Sequence, residues 1–456
     1  MSGLKTLYLF AIITALMYFV SCNHRIKHTD TSFQNTTSVV VNTTLNPSIY
    51  SNSISSVTSS IHSNNKITES TVVSSVKKSS SSSSKIINKT FSTSKTAPKP
   101  VIAKTLQNTY TKLNNDKKLK IGYIGGSVTV GTGSTNKDAN SWRAKTTQWF
   151  KTQFPNATIS EVDASNGGTG SGWGVFRIEK DLLSKSPDII FIEFIINDCY
   201  ERTAVEETKR NIESMYKRIY KANPYADIVM VYTTDLGFKG LNNPWIDANN
   251  YVANHYGVAA VDVGLALKQK IDAGDGVWSD YLVDYAHPND RGYSVYSDAV
   301  CSYLNTSLIT KSPPVGLKKH SVPNPLGTNL LLDTQIINAS GISLNQSTNW
   351  SVINTSNWYE FDNLILSSTK ENSSLVTSFE GFYLGLLLEQ NTSAVATNIE
   401  ITVDGNIVNE NLSLYRTSAN RTYMMICNNL SSGTHELTIK NVSGKRFNLA
   451  AVMVAK

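Results

Sequence analysis

Between Lys118 and Leu304, five short, mostly apolar runs alternate with helical patterns, and no other feature limits the fold so much. The runs are KIGYIGGSV, TISEVDAS, DIIFIEFIIN, DIVMVYTT and GVAAVDV. Runs of this kind are expected of strands covered on both faces. Helical patterns lie between them, at Trp142–Phe154 and Phe176–Leu183. The clearest is AVEETKRNIESMYKRIYKANP, where Ile212, Met215, Ile219 and Tyr220 recur three to four residues apart. A last helix follows HPNDRGY and continues through Val300. Strand–helix alternation of this kind predicts an α/β domain built on a doubly wound parallel sheet.

The rest of the 456-residue chain reads differently. Lys5 precedes an apolar stretch from Leu7 to Val20, which is short of the roughly 20 residues a membrane span needs. Residues 1–22 are therefore expected to be a signal peptide and the mature protein to be secreted. Cys22 after Phe19-Val20-Ser21 loosely resembles a lipoprotein processing site, so lipidation and surface anchoring is the alternative, as is an uncleaved anchor. Residues 23–117 are rich in Ser, Thr and Asn without apolar periodicity. They are expected to be a disordered stalk, since they offer too little apolar surface to offset ordering entropy. Residues 306–325 read as a linker. From 326 to 456 the period shifts towards two, in NWSVI, LILSS, GFYLGLLLE, NIEITVDGNIV, RTYMMICNNL, THELTIKNV and NLAAVMVAK. These predict a small all-β sandwich, with VDGN as a hairpin turn. Asn-x-Ser/Thr sites recur in the stalk and after Asn305, and are glycan acceptors if the host modifies asparagine.

Several function classes fall away. The net charge of +7 comes largely from N-terminal lysines, without the basic, aromatic-interleaved block that nucleic-acid binding calls for. The four cysteines are too far apart for a disulfide framework or a CxxC site, although one pair stays open in an exported protein. Apart from His24 and His28 in the N-terminal segment, the seven histidines are scattered, so neither metal nor cofactor is expected. The glycines of GGSVTVGTG lack the Gly-Lys-Ser/Thr of a phosphate loop.

Four stretches remain, and in a doubly wound sheet the first three, at the ends of strands one to three, face one crevice. They are GGSVT around Ser127, NGGTG after the second strand, IND at Asn197, and Asp284-Tyr285-Ala286-His287 before the last helix. In this order and spacing they resemble the conserved blocks of the SGNH (GDSL-like) hydrolase family. The resemblance covers about Lys118 to Leu304 and implies a flavodoxin-like sheet. Gly126 stands where the family usually has Asp, and Ile196 where a Gly often precedes the Asn.

The resemblance implies a serine hydrolase. Ser127 would be the nucleophile, His287 its base and Asp284 the group that fixes the imidazole. The backbone N–H groups of Ser127 and Gly168 and the amide of Asn197 would hold the oxyanion. Asp198 and Glu193 read as structural acids. Trp173 and Trp142 read either as core or as candidates for lining the substrate site. The expected activity is hydrolysis of small acyl esters, especially acetyl on a polysaccharide, by a monomer with an accessory β domain. A lipase or thioesterase of the same family is the alternative, and a non-catalytic glycan-binding surface protein the rival from another class.

Overall fold

The computed structural model describes residues 106–308, 316–355, 361–389, 398–413 and 421–456. The expected signal peptide and most of the expected stalk lie outside these residues.

Five parallel strands form the first sheet: β1 Lys118–Gly125, β2 Thr158–Ser165, β3 Ile189–Glu193, β4 Asp227–Tyr232 and β5 Ala259–Asp262. Their order is β2-β1-β3-β4-β5, with every neighbouring pair parallel. This is the doubly wound arrangement, and its order reverses between β1 and β3. β3 and β4 are buried along their whole length, in line with their unbroken apolar runs. Helices cover both faces. Trp142–Gln153, Val263–Asp272 and Asp290–Leu308 lie on one side, with Trp142, Leu267 and Tyr296 in one core. Ser171–Asp181, Val205–Ala222 and Pro244–Tyr256 lie on the other, with Phe176, Met215 and Val252 in a second core.

Two expectations change. Gln107–Thr111 and Lys112–Asp116 are helical, although the stretch before Lys118 reads as disordered stalk. Leu106 and Leu113 bury into the first core, and Asp227 accepts from the N–H and hydroxyl of Thr109 at 2.8 and 2.7 Å. Two leucines and one capped threonine suffice because a preformed surface receives them. The stretch expected to link the domains is also held. The last helix reaches Leu308, and beyond residue 316 the chain lies along the α/β domain. Asn108 Nδ2 donates to the Lys318 carbonyl at 2.8 Å, and His320 N–H donates to the Pro224 carbonyl at 2.9 Å.

The C-terminal part is all-β and antiparallel. One sheet has the order β13-β10-β15-β8-β7, with β6 beside β15, and the other β12-β11-β14-β9. Here β6 is Thr334–Asn338, β7 Ser351–Asn354, β8 Leu364–Ser368, β9 Ser373–Glu380 and β10 Tyr383–Glu389. β11 is Asn398–Val403, β12 Asn406–Ser413, β13 Arg421–Cys427, β14 Thr434–Asn441 and β15 Phe447–Ala455. The hairpin between β11 and β12 turns at Asp404 (φ 51°) and Gly405 (φ 74°), as a two-residue turn with both central φ positive requires. All of β15 is buried. One of its faces packs against the other sheet, with Val452 and Val454. The opposite face, with Ala451 and Met453, joins the core of the α/β domain, where Trp173 meets Phe361 at 6.1 Å and Phe176 meets Tyr383 at 5.7 Å between ring centres. The β domain is thus packed into the enzyme-like domain through apolar core.

Candidate active site

β1 ends in two glycines for steric reasons. A Cβ on Gly125 would stand 2.3 Å from Thr129 Oγ1 and 2.7 Å from the Glu193 carbonyl. A Cβ on Gly126 would stand 2.0 Å from Asn197 Oδ1. Side chains at either position would push apart the turn and the Asn197 amide. Ser127 then opens the short helical turn Ser127–Val130 at the C-terminal edge of the sheet.

The other groups arrive from neighbouring strands. Asn197 lies in the first turn of the Ile195–Glu201 helix, which starts directly after β3. The sequence reads FIIN as strand, but β3 stops at Glu193, its last residue paired with β1, and the chain bends at Phe194. Asn197 and Ser127 therefore meet at the point where the strand order reverses. The glycine loop after β2 closes the third side. A Cβ on Gly167 would lie 3.8 Å from Ser127 Cβ, whereas Gly168 (φ +73°) has open space where a Cβ would stand. The loop is tied to the Asn197 helix, since Gly170 N–H donates to Glu201 at 2.9 Å and Ser171 N–H to Asp198 at 2.6 Å.

Asp284 and His287 come from the loop before the last helix. Asp284 Oδ1 accepts from the N–H groups of Ala286 and His287 at 2.9 and 2.8 Å, so the loop curls around its own carboxylate. Asp284 Oδ2 is 2.7 Å from His287 Nδ1, and His287 Nε2 is 2.7 Å from Ser127 Oγ. This brings a carboxylate to its own near neighbour in sequence. Two further ties hold the loop against the Ser127 segment: Tyr293 donates to the Thr132 carbonyl at 2.8 Å, and Thr135 N–H donates to Asp290 at 2.9 Å.

The carboxylates around the site are treated in opposite ways. Burial acts against charge on Asp284, but hydrogen bonds from His287 and the Ala286 and His287 backbone prevail, and its pKa is lowered. Glu193 is fully buried below the site, and desolvation raises its pKa although the hydroxyls of Thr233 and Thr129 donate to it at 2.8 and 2.9 Å. Burial likewise raises Asp198, to about 7. The carboxylate whose charged form is favoured is the one beside the imidazole, which is where an anion stabilises an imidazolium.

Residues 123–295 match the model of the GDSL-like Lipase/Acylhydrolase family. The acylhydrolase domain and the β domain together resemble a two-domain esterase (CEX) active on acetylated mannans, with a TM-score of 0.66 and 21% identity over 78% of this chain and 97% of that one. The same esterase co-crystallised with mannopentaose matches with a TM-score of 0.64 and 22% identity, over the same shares of the two chains. At this identity the likeness shows a shared two-domain fold. No curated protein sequence matches the chain.

Two aromatic candidates lie elsewhere. Trp173 is buried against Phe361 of the β domain, because the helix after the glycine loop turns that face away from the sheet edge. Trp142 is wholly buried among Tyr123 and Phe191. Tyr285, in the Asp284–His287 loop, meets Tyr200 with 6.1 Å between ring centres. Tyr285 sits inside the Asp-x-x-His block itself, a signal visible in the sequence. Cys301 and Cys427 are free cysteines. Among the described residues no cluster of three or more His, Cys, Asp or Glu is placed to hold a metal ion.

Proposed function

We propose that the chain is a secreted or surface-tethered serine esterase that removes small acyl groups, chiefly acetyl, from polysaccharide. The observation that carries this reading is the unbroken relay from Asp284 through His287 to Ser127, each contact 2.7 Å. With the Nδ1 proton directed at Asp284, Nε2 accepts the Ser127 proton as Oγ attacks the ester carbonyl. The negative charge that develops on the carbonyl oxygen is met by the N–H groups of Ser127 and Gly168 and the Asn197 amide, each such donor being worth about 2.7–4 kcal/mol. His287 then protonates the departing sugar hydroxyl, leaving an acyl group on Ser127. Water, deprotonated by the same imidazole, releases the acid and restores the serine.

The polysaccharide substrate is carried over from the acetylated mannans on which the two-domain neighbour acts. The half-exposed Asp284 and its loop suit an ester presented on a large polymer. Export rests on the N-terminal apolar stretch alone, and the monomeric state on the completeness of the relay within one chain. Acetate release from acetylated mannan and acetylated xylan, beside a nitrophenyl ester series of rising chain length, tests the reading. Turnover fastest on acetyl and lost in Ser127→Ala is expected. Preference for long chains would replace it with a lipase, and glycan binding without turnover would replace it with a binding protein.

A further inference from the structure

The helix Ser171–Asp181 begins three residues after Gly168, and its first turn is held from two sides. From the acylhydrolase domain, Asp198 and Glu201 accept the N–H groups of Ser171 and Gly170, and Asn211 Nδ2 donates to the Ser171 hydroxyl at 3.1 Å. From the β domain come Phe361, which meets Trp173, and Tyr423 of β13, which meets Gly172. The Tyr423 ring lies so close to Gly172 that a Cβ there would stand 2.1 Å from Cε1 and 2.3 Å from Cδ1. Its other edge lies against Gly385 of β10, where a Cβ would stand 2.9 Å from Cε2. The ring fills a slot between two glycines, one from each domain.

The slot is closed behind the ring. The Tyr423 hydroxyl meets that of Tyr383, and the two tyrosines donate to the buried Glu207 at 3.4 and 3.2 Å. The Arg210 guanidinium lies 5.0 Å from the centre of the Tyr383 ring and 3.8 Å from Glu207. Next to Glu207 on the same helix, Thr208 donates to Asp198 at 3.3 Å. One buried network thus joins the Tyr423 ring to the carboxylate that holds the opposite side of the turn. Close-packed groups of this kind transmit a displacement rather than absorb it.

We propose that Tyr423 is a positioning residue for the oxyanion pocket. The β domain supplies a ring that presses on Gly172 and fixes the turn carrying the Gly168 N–H. The chemical consequence rests on the esterase reading above; the brace itself does not. It also gives the appended domain a part in the reaction that needs no glycan binding.

The test uses the full chain with Tyr423→Ala and Tyr423→Phe. Backbone hydrogen exchange across residues 166–173 reads the brace. Rates on an acetyl ester and its thiono analogue read the pocket, because a thiocarbonyl sulfur accepts hydrogen bonds weakly and gains less from an intact pocket. Tyr423→Ala is expected to speed exchange in that segment and to lower kcat on the oxygen ester by about tenfold with KM little changed. The oxygen-to-sulfur rate ratio is expected to contract, and Tyr423→Phe, which keeps the ring, to recover most of both effects. If the alanine variant does not fold, Tyr423→Leu replaces it. Unchanged exchange, or equal losses on the two esters, would overturn the proposal. A wild-type chain without turnover would remove the esterase reading and leave exchange to decide the brace.

Discussion

Among the described residues, two histidine–aspartate pairs close through Nδ1 with nearly the same geometry, one in each domain. In the acylhydrolase domain His287 Nδ1 is 2.7 Å from Asp284, and in the β domain His435 Nδ1 is 2.6 Å from Asp404. Each aspartate also accepts backbone N–H groups, from Ala286 and His287 in the first pair and Glu436 in the second. The difference lies at the other ring nitrogen. His287 Nε2 faces the Ser127 hydroxyl at 2.7 Å, which can donate, whereas His435 Nε2 faces the Ser431 carbonyl at 2.9 Å, which can only accept. With an acceptor on each side, His435 is drawn towards the doubly protonated form. Its pKa is raised, first by Asp404 and then by the Ser431 carbonyl, while Asp404 is lowered. Facing a donor, His287 can stay a base. The pair alone makes a brace; the third atom makes it a relay.

The sharpest way to break this comparison is to remove each histidine in turn. His287→Ala is expected to cost about 10⁴-fold in kcat/KM, and His435→Ala to leave it within about twofold. Steady-state rates on an acetyl ester check both. The aspartates follow with a smaller gap. Asp284→Asn should lower kcat by about 10²–10³-fold, below the loss at a fully buried triad acid because the Asp284 side chain is 53% exposed. Asp404→Asn should leave kcat unchanged.

A third variant sharpens the relay without touching it. Gly126→Ala places a Cβ where Asn197 Oδ1 now stands. A kcat loss of about 10²-fold with unchanged KM is expected, matching Asn197→Ala, because both remove the same oxyanion donor.

The smallest effect is on stability. The raised pKa of His435 gives a contribution fully present below its unfolded value of about 6.5 and lost as pH rises through the folded value. The lowered pKa of Asp404 gives one present above about 3.9 and lost as pH falls below it. Between those limits His435→Gln should lower Tm by about 2–4 °C, and the difference should shrink by pH 9. Calorimetry across pH reads this, and a constant difference would contradict the pairing.

The sequence carries the α/β fold well because burial on both faces leaves unbroken apolar runs. It also carries the four blocks, since the Asp284–His287 turn is local, while Gly125 and Gly126 are fixed by the close approach of Thr129, Glu193 and Asn197. The β domain is less legible. TQIIN and SSLVTSFE are strands β6 and β9 without a clear alternation, because β6 is a half-buried edge and β9 ends a sheet. NLAAVMVAK, grouped by sequence with the period-two strands, is instead an unbroken apolar run, because β15 is covered on one face by the other β sheet and on the other by the α/β domain. Trp173 misleads for the same reason: which domain a helix face meets is a long-range fact. Tyr423 is invisible locally, since its slot is made by Gly172 and Gly385, more than two hundred residues apart.

The most direct test of the relay is rapid quenching of the full chain with an acetyl ester, followed by mass spectrometry of its peptides. One acetyl group on Ser127 is expected in the wild type and in His435→Ala, and none at this position in Ser127→Ala or His287→Ala. Turnover without acetyl on Ser127, or undiminished turnover in Ser127→Ala, would contradict the account.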